Sequence, residues 1–232
     1  MKNLLLILSA VILSSCASVS TEPVDNTLSK NEIKEGWELL FEGQDMSKWR
    51  NFKKPDINPK WKIIDGAMTL TARGGGNLIT KAEYGDFDLR LEWKIAEKGN
   101  SGIFFHADEK GKQVYSHAAE IQILDNVGAK DNKKDNHRSG SLYDMIAASP
   151  ESQKLAGEWN SIRIVHNGGD LKVWQNEVKT VDIFIGSAEW NKLVANSKFK
   201  SWEGFAKNTK GYIGLQDHGN VVSFKNLKIR NL

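Results

Sequence analysis

From Phe87 to Ile95 the chain alternates without a break. Phe87, Leu89, Leu91, Trp93 and Ile95 fall on one side, Asp88, Arg90, Glu92 and Lys94 on the other. A nine-residue run at period two is a strand, because successive side chains of an extended backbone point to opposite faces. As a helix it would scatter its apolar residues around the whole circumference and bury none of them well. One apolar and one charged face predicts an antiparallel sheet with one side on a core and the other in water.

The rest of the chain repeats that signal in shorter pieces. Residues 36–41 form a short strand before the turn Glu42-Gly43-Gln44-Asp45. Residues 61–65 and 67–72 flank Asp65-Gly66, a pair suited to a tight hairpin turn with positive φ. Further strands are expected at 77–80, 102–107, 159–166, 171–175, 211–216 and 221–229, with Asn167-Gly168-Gly169-Asp170 as a second hairpin turn. Within 102–107, Ile103 and Phe105 oppose Phe104 and His106. The Gly74-Gly75-Gly76 run lacks the strand–helix context of a phosphate-binding loop. A single helix is expected at 187–197, where Trp190, Leu193 and Val194 share a face. Residues 126–157 show little periodicity and exceed an ordinary connection. Their first part, 130–138, reads as charged and mobile, with His137 in solvent; their second, 139–144, reads as ordered.

Some ten short strands with tight turns and no βαβ pattern leave a sandwich or a barrel. Strands polar on one face point to a curved sheet with a concave cleft. The expected fold is therefore an all-β, concanavalin-like jelly-roll sandwich of two antiparallel sheets with at most one or two short helices. An up-and-down barrel is the alternative.

Within that frame residues 118–125, Ala-Ala-Glu-Ile-Gln-Ile-Leu-Asp, stand out. Ile121 and Ile123 point one way, Glu120, Gln122 and Leu124 the other. A carboxylate and an amide in the middle of an apolar strand are costly to bury without partners. They belong either in a polar cleft or on a solvated face.

The N-terminus reads as an address. Lys2 precedes an apolar run from Leu4 to Leu13, too short to span a membrane as a mature helix. Leu13-Ser14-Ser15-Cys16 resembles a bacterial lipobox. That resemblance implies a signal peptide over 1–15, lipidation of Cys16 as the mature N-terminus, and membrane attachment in the cell envelope. Ala17 after the cysteine implies the outer membrane. Cys16 is the sole cysteine, so no intramolecular disulfide forms. Residues 16–35 read as a flexible tether and 36–232 as one domain. Thirty-two basic against 29 acidic residues leave a net charge of +3, with no basic stripe of the kind that binds nucleic acid. The eight Trp serve equally as core filler or as platforms for sugar rings.

Several segments, in order, look like one family: Gly36-Trp37-Glu38-Leu39-Leu40-Phe41 with Trp49; Trp61-Lys62-Ile63-Ile64-Asp65-Gly66; Asn100-Ser101-Gly102-Ile103-Phe104; Glu120-Ile121-Gln122-Ile123-Leu124-Asp125; Gly140-Ser141-Leu142-Tyr143; Gly157-Glu158-Trp159-Asn160; and Gly211-Tyr212-Ile213-Gly214-Leu215-Gln216-Asp217-His218-Gly219. Over about residues 36–232 the chain resembles the 3-keto-disaccharide hydrolase family. The resemblance implies the jelly roll and a carbohydrate substrate carrying a ketone at C3. Retaining glycosidases of the same fold carry Glu-x-Asp-x-x-Glu on a cleft strand. Here positions 120, 122 and 125 read Glu, Gln and Asp. Double displacement needs two carboxylates about 5–5.5 Å apart, whereas Glu120 and Asp125 point to opposite faces of a regular strand unless a bulge intervenes.

A 3-keto sugar needs less. Its C2 proton is acidified by the neighbouring carbonyl, so one base can remove it. The C1 substituent then leaves by β-elimination, and water adds back. The expected roles are Glu120 as base or metal ligand, His218 as acid or second ligand, and Gln122 and Gln216 on sugar hydroxyls. Tyr143 is expected at the opening, with His106 and His117 as further cleft residues. A divalent metal stays open as a cofactor of unknown identity, although the histidines lack the spacing of a zinc site. A non-catalytic carbohydrate-binding lipoprotein is the alternative function.

Overall fold

The computed structural model describes residues 24–232. The expected signal peptide and Cys16 lie outside the described residues. Thirteen strands form two antiparallel sheets. In chain order they are β1 (Glu38–Leu39), β2 (Trp49–Asn51), β3 (Trp61–Ile64), β4 (Ala67–Leu70), β5 (Leu78–Thr80), β6 (Phe87–Ile95), β7 (Asn100–Ala107), β8 (Ala119–Leu124), β9 (Asn160–Asn167), β10 (Asp170–Gln175), β11 (Val178–Phe184), β12 (Tyr212–Leu215) and β13 (Val222–Asn231). The larger sheet runs β11-β10-β9-β6-β13-β4-β3, with β1 also on β13. The smaller runs β2-β5-β12-β7-β8. Two helices, α1 (Lys30–Lys34) and α2 (Ala188–Ala195), accompany them. The jelly-roll sandwich holds; the barrel does not.

The core lies between the sheets, as the alternation requires. Leu89, Leu91, Trp93 and Ile95 of β6 meet Ile103 and Phe105 of β7 and Ile121 and Ile123 of β8 in one buried cluster. Burying each such side chain contributes about 1.5–3 kcal/mol. The other face of β8 therefore points outward, away from the core, and carries Glu120 and Gln122.

Three expectations change. The far face of β6 is not simply solvated: Asp88 is fully buried, in a two-pronged ion pair with Arg163 at 2.9 and 2.8 Å. Strands β2 and β11 add to those expected, although Val178, Thr180, Val181 and Ile183 give β11 the β-branched composition of a strand; β10 turns into β11 through Asn176-Glu177, both at positive φ without a glycine. Asn176 stabilises that turn by donating to Ser152 O and accepting from Ser161 N. Finally, the segment read as tether is folded from Val24 onward. Asn26 and Asn226 exchange backbone-to-side-chain hydrogen bonds at 2.6 and 2.9 Å. Ser29 and Glu32 form a capping box that starts α1, and Glu32 pairs with Lys228. Charged and polar residues that look like linker in sequence find their partners on β13.

Candidate active site

β8 would be a free edge of its sheet, but the loop after it returns to pair with it. Gln122 N donates to Ser141 O and Gly140 N to Gln122 O, at 3.0 and 2.9 Å, and Tyr143 N donates to Glu120 O at 3.0 Å. This covers an edge that would otherwise template aggregation, and it sets Tyr143 beside Glu120. Across the sheet, Gly102 of β7 pairs with Gln122. A Cβ at Gly102 would stand 2.2 Å from Glu120 Oε1, so the glycine makes room for the carboxylate. Gln216 donates its backbone N–H to Gly102 O and its side-chain N–H to Glu120 Oε1 at 3.0 Å.

These groups floor a cavity of about 310 Å³ on the outer face of the smaller sheet, near the lower end of the usual ligand-site range of roughly 300–1,000 Å³. Asn100, Glu120, Gln122 and Gln216 line it, with Tyr143, Lys198 and His218 around them and Tyr115, Phe199 and Trp202 as aromatic walls. Burial pushes the Glu120 carboxyl up to about 8, against the opposing pull of Lys198 and the Gln216 hydrogen bond. Asn100 Oδ1, Gln122 Oε1 and Gln216 Oε1 are buried without a partner. Three unsatisfied acceptors around one carboxylate suit a ligand rich in hydroxyl donors.

Gln122, Gln216, Tyr143 and His218 are thus brought together with Glu120. His218 is exposed, on a turn held from behind: Asp217 accepts from Gly74 N at 3.0 Å and Gly76 N at 2.8 Å. The glycine run cradles an anion after all, but it is the protein's own carboxylate.

His106 and His117 lie elsewhere. His106 has φ of 53° at a register shift between β7 and β12, which turns its ring inward against Phe87, Phe105 and His166. Its Nε2 meets Gly85 O at 2.8 Å. His117 is held by Asp108 at 2.8 Å and packs where a Cβ of Gly204 would fall, so it supports the 202–206 loop from outside the cavity. Asp125 also stays away. It accepts from Lys98 N and Val127 N at 2.7 and 3.0 Å and closes a turn. Glu120 is the only carboxylate lining the cavity among the described residues.

The loop read as mobile is tied together by its own charges. His137 is buried, with Nδ1 2.8 Å from Asp131 and Nε2 2.7 Å from Asp144. Asp131 accepts from the Tyr143 hydroxyl at 3.0 Å, and Asp144 from the backbone N–H of Lys198 at 2.8 Å. Lys198 itself has no signal in the sequence; it is one cation among 32. Only the packing of a 3₁₀ turn, Lys198–Ser201, places it over the cavity.

Among the described residues no group of three or more His, Cys, Asp or Glu side chains is placed to hold a metal ion. Glu120, His218 and the three amide oxygens are the donors the cavity offers, a mostly oxygen set suited to a hard cation.

A two-sheet jelly roll with a small, hydroxyl-seeking cavity around one buried carboxylate defines a glycoside-cleaving enzyme. The chain belongs to the 3-keto-alpha-glucoside-1,2-lyase-like domain family, which matches residues 36–230. It is 35% identical over 229 residues to the 3-keto-disaccharide hydrolase of Bacteroides thetaiotaomicron, covering 85% of this chain and 79% of that protein. A crystal structure from Parabacteroides distasonis ATCC 8503, of a protein described provisionally as a glycosyl hydrolase, superposes with a TM-score of 0.84 at 29% identity, covering 90% of this chain and all of that one. A Bacillus subtilis protein with a galectin-like fold shares the fold alone, at 13% identity and a TM-score of 0.53, over 90% of this chain and 94% of that one.

Proposed function

We propose that this protein cleaves the glycosidic bond of 3-keto-disaccharides or 3-keto-glycosides by C2 deprotonation, β-elimination of the C1 substituent and rehydration. The observation that carries the proposal is Glu120: a single buried carboxylate with a raised pKa, alone among the carboxylates of the described residues in lining the cavity. Two-carboxylate hydrolysis lacks its second group there, since Asp125 is occupied in a turn. One base near neutrality is what removal of a carbonyl-activated proton requires. Glu120 takes the C2 proton, and the electron pair passes to the C3 oxygen as an enolate. Collapse of the enolate expels the C1 oxygen, which takes a proton; His218 at the mouth is the candidate donor. Asn100, Gln122 and Gln216 accept the sugar hydroxyls. The names of the family and of the Bacteroides relative support this substrate class.

Incubating the purified protein with a 3-keto-disaccharide, with and without chelator, tests it. Release of 3-keto-glucose is expected. Tight binding with no turnover in either arm would leave a carbohydrate-binding protein instead, and loss of turnover only with chelator would assign a metal.

We also propose that the protein is lipid-anchored through Cys16 in a bacterial envelope, in the outer membrane. The support is the lipobox-like Leu13-Ser14-Ser15-Cys16 followed by Ala17. Acyl chains add about 0.8 kcal/mol per buried methylene. Metabolic labelling with a palmitate analogue should mark the wild type and not Cys16→Ser; an unlabelled wild type rules the anchor out.

A further inference from the structure

An enolate formed on the substrate needs a positive group at its oxygen, and the proposed function leaves that group unassigned. Lys198 is the one lysine or arginine lining the cavity among the described residues. Its ammonium stands 4.0 Å from the Tyr143 ring centroid, and among the described residues no carboxylate comes within 4.0 Å of it. Charge is instead arranged behind it. Asp144 fixes the Lys198 backbone N–H at 2.8 Å, His137 bridges Asp144 to Asp131, and Asp131 takes the Tyr143 hydroxyl at 3.0 Å. The chain runs from the lysine's own backbone N–H to the hydroxyl of the ring over which its ammonium lies, so it fixes both ends of that contact. Partial desolvation lowers the Lys198 pKa, while Glu120, Asp144 and Asp131 pull it upward.

Resting on the reading of the substrate as a 3-keto sugar, we infer that Lys198 is the electrophilic residue of the site, its ammonium holding the C3 oxygen as the enolate forms, and that His137 is a positioning residue acting through it. The lysine remains an ammonium throughout. It donates a hydrogen bond to the carbonyl oxygen, which strengthens as the electron pair from the C2–H bond arrives and relaxes when the C1–O bond breaks. Such a donor acts mainly in the transition state, so its removal falls on kcat.

Lys198→Met keeps the apolar stem and removes the charge. Its kcat on the 3-keto-disaccharide is expected to fall by about 10²–10³-fold with KM changed by less than about threefold, and exchange of the C2 proton with solvent deuterium should slow in parallel. In Lys198→Ala, which removes the stem as well, added propylammonium should restore part of the rate. His137→Gln should lower kcat by a smaller factor, and that loss should vanish in the Lys198→Met background, because a group acting through Lys198 has nothing left to position. Wild-type turnover with Lys198→Met within about threefold of it would overturn the inference and leave the substrate reading intact. So would a loss confined to KM, or a His137→Gln effect undiminished in the double variant. Absence of wild-type turnover would instead count against the substrate reading itself.

Discussion

The outer faces of the two sheets each bury a carboxylate, and the two are treated in opposite ways. On the larger sheet, Asp88 has no exposed surface and is met by Arg163 through two hydrogen bonds and by Arg230 at 3.4 Å. Around it Arg90 and Arg230 lie over Trp37, and Arg163 lies over Trp174. The Asp88 carboxylate is thus neutralised by guanidinium groups that are themselves stacked on indoles, an arrangement that serves the fold. On the smaller sheet, Glu120 is 8% exposed, yet its hydrogen-bond partner is an uncharged amide, and three nearby acceptors have none. A buried acid with cations in place stabilises a fold, whereas one held by an amide on the floor of a cavity is available for chemistry.

The comparison breaks most visibly in turnover. Glu120→Gln should lower kcat by about 10²–10⁴-fold, the usual contribution of a positioned base, while Asp88→Asn leaves kcat within a few-fold; steady-state kinetics on a 3-keto-disaccharide decide. If Asp88→Asn proved equally damaging, the two faces would not be functionally distinct. Gly102→Ala puts a methyl where the Glu120 carboxylate sits. A displacement of about 1 Å costs on the order of 10² in rate, so a comparable loss with a modest change in Tm is expected.

Effects of pH sharpen the contrast further. The carboxyl of Glu120 rises from an ordinary 4.5 to about 8 on folding. Its neutral form is thus favoured in the folded state. The associated stability is complete below about pH 4.5 and is lost as pH climbs through about 8. Wild type should therefore lose Tm relative to Glu120→Gln over that window, by about 2–4 °C for each kcal/mol. Activity moves the other way: kcat/KM should fall about tenfold per pH unit below about 8, because the base must be ionised. A pH-independent Tm difference would remove Glu120 from this role. The smallest effect is on the structural face. Asp88→Asn should cost between the about 1 kcal/mol of an exposed ion pair and the about 3–5 kcal/mol of a fully buried one, since Arg163 keeps partial solvent contact; urea titration measures it.

Much of the fold could be read along the chain because period-two alternation survives in any strand with one buried face. Residues 87–95 and 118–125 showed their core sides for that reason, and Asp65-Gly66 its turn, with φ of 49° and 71°. The hairpin at Asn176-Glu177 is harder to read, because Asn176 suits a left-handed position but Glu177 stands where the usual signature has glycine. His106 failed for a related reason: a one-residue bulge moves a side chain to the other face, and parity counting has no means of detecting it. His137 looked exposed because its neighbours are charged. It is buried because two of those charges, Asp131 and Asp144, bond to its ring.

By itself, then, the sequence determined the two-sheet architecture, the strand that floors the cavity and the placing of Glu120 with Gln122 on one face. These follow from local periodicity, which does not depend on what the strand packs against. Tertiary structure alone decided that Gln216 rather than a second acid reaches Glu120, that Asp125 turns away, and that Lys198 comes over the cavity from 78 residues further along the chain. Proximity of that kind is set by sheet order and loop packing, and no spacing of residues along the chain encodes it.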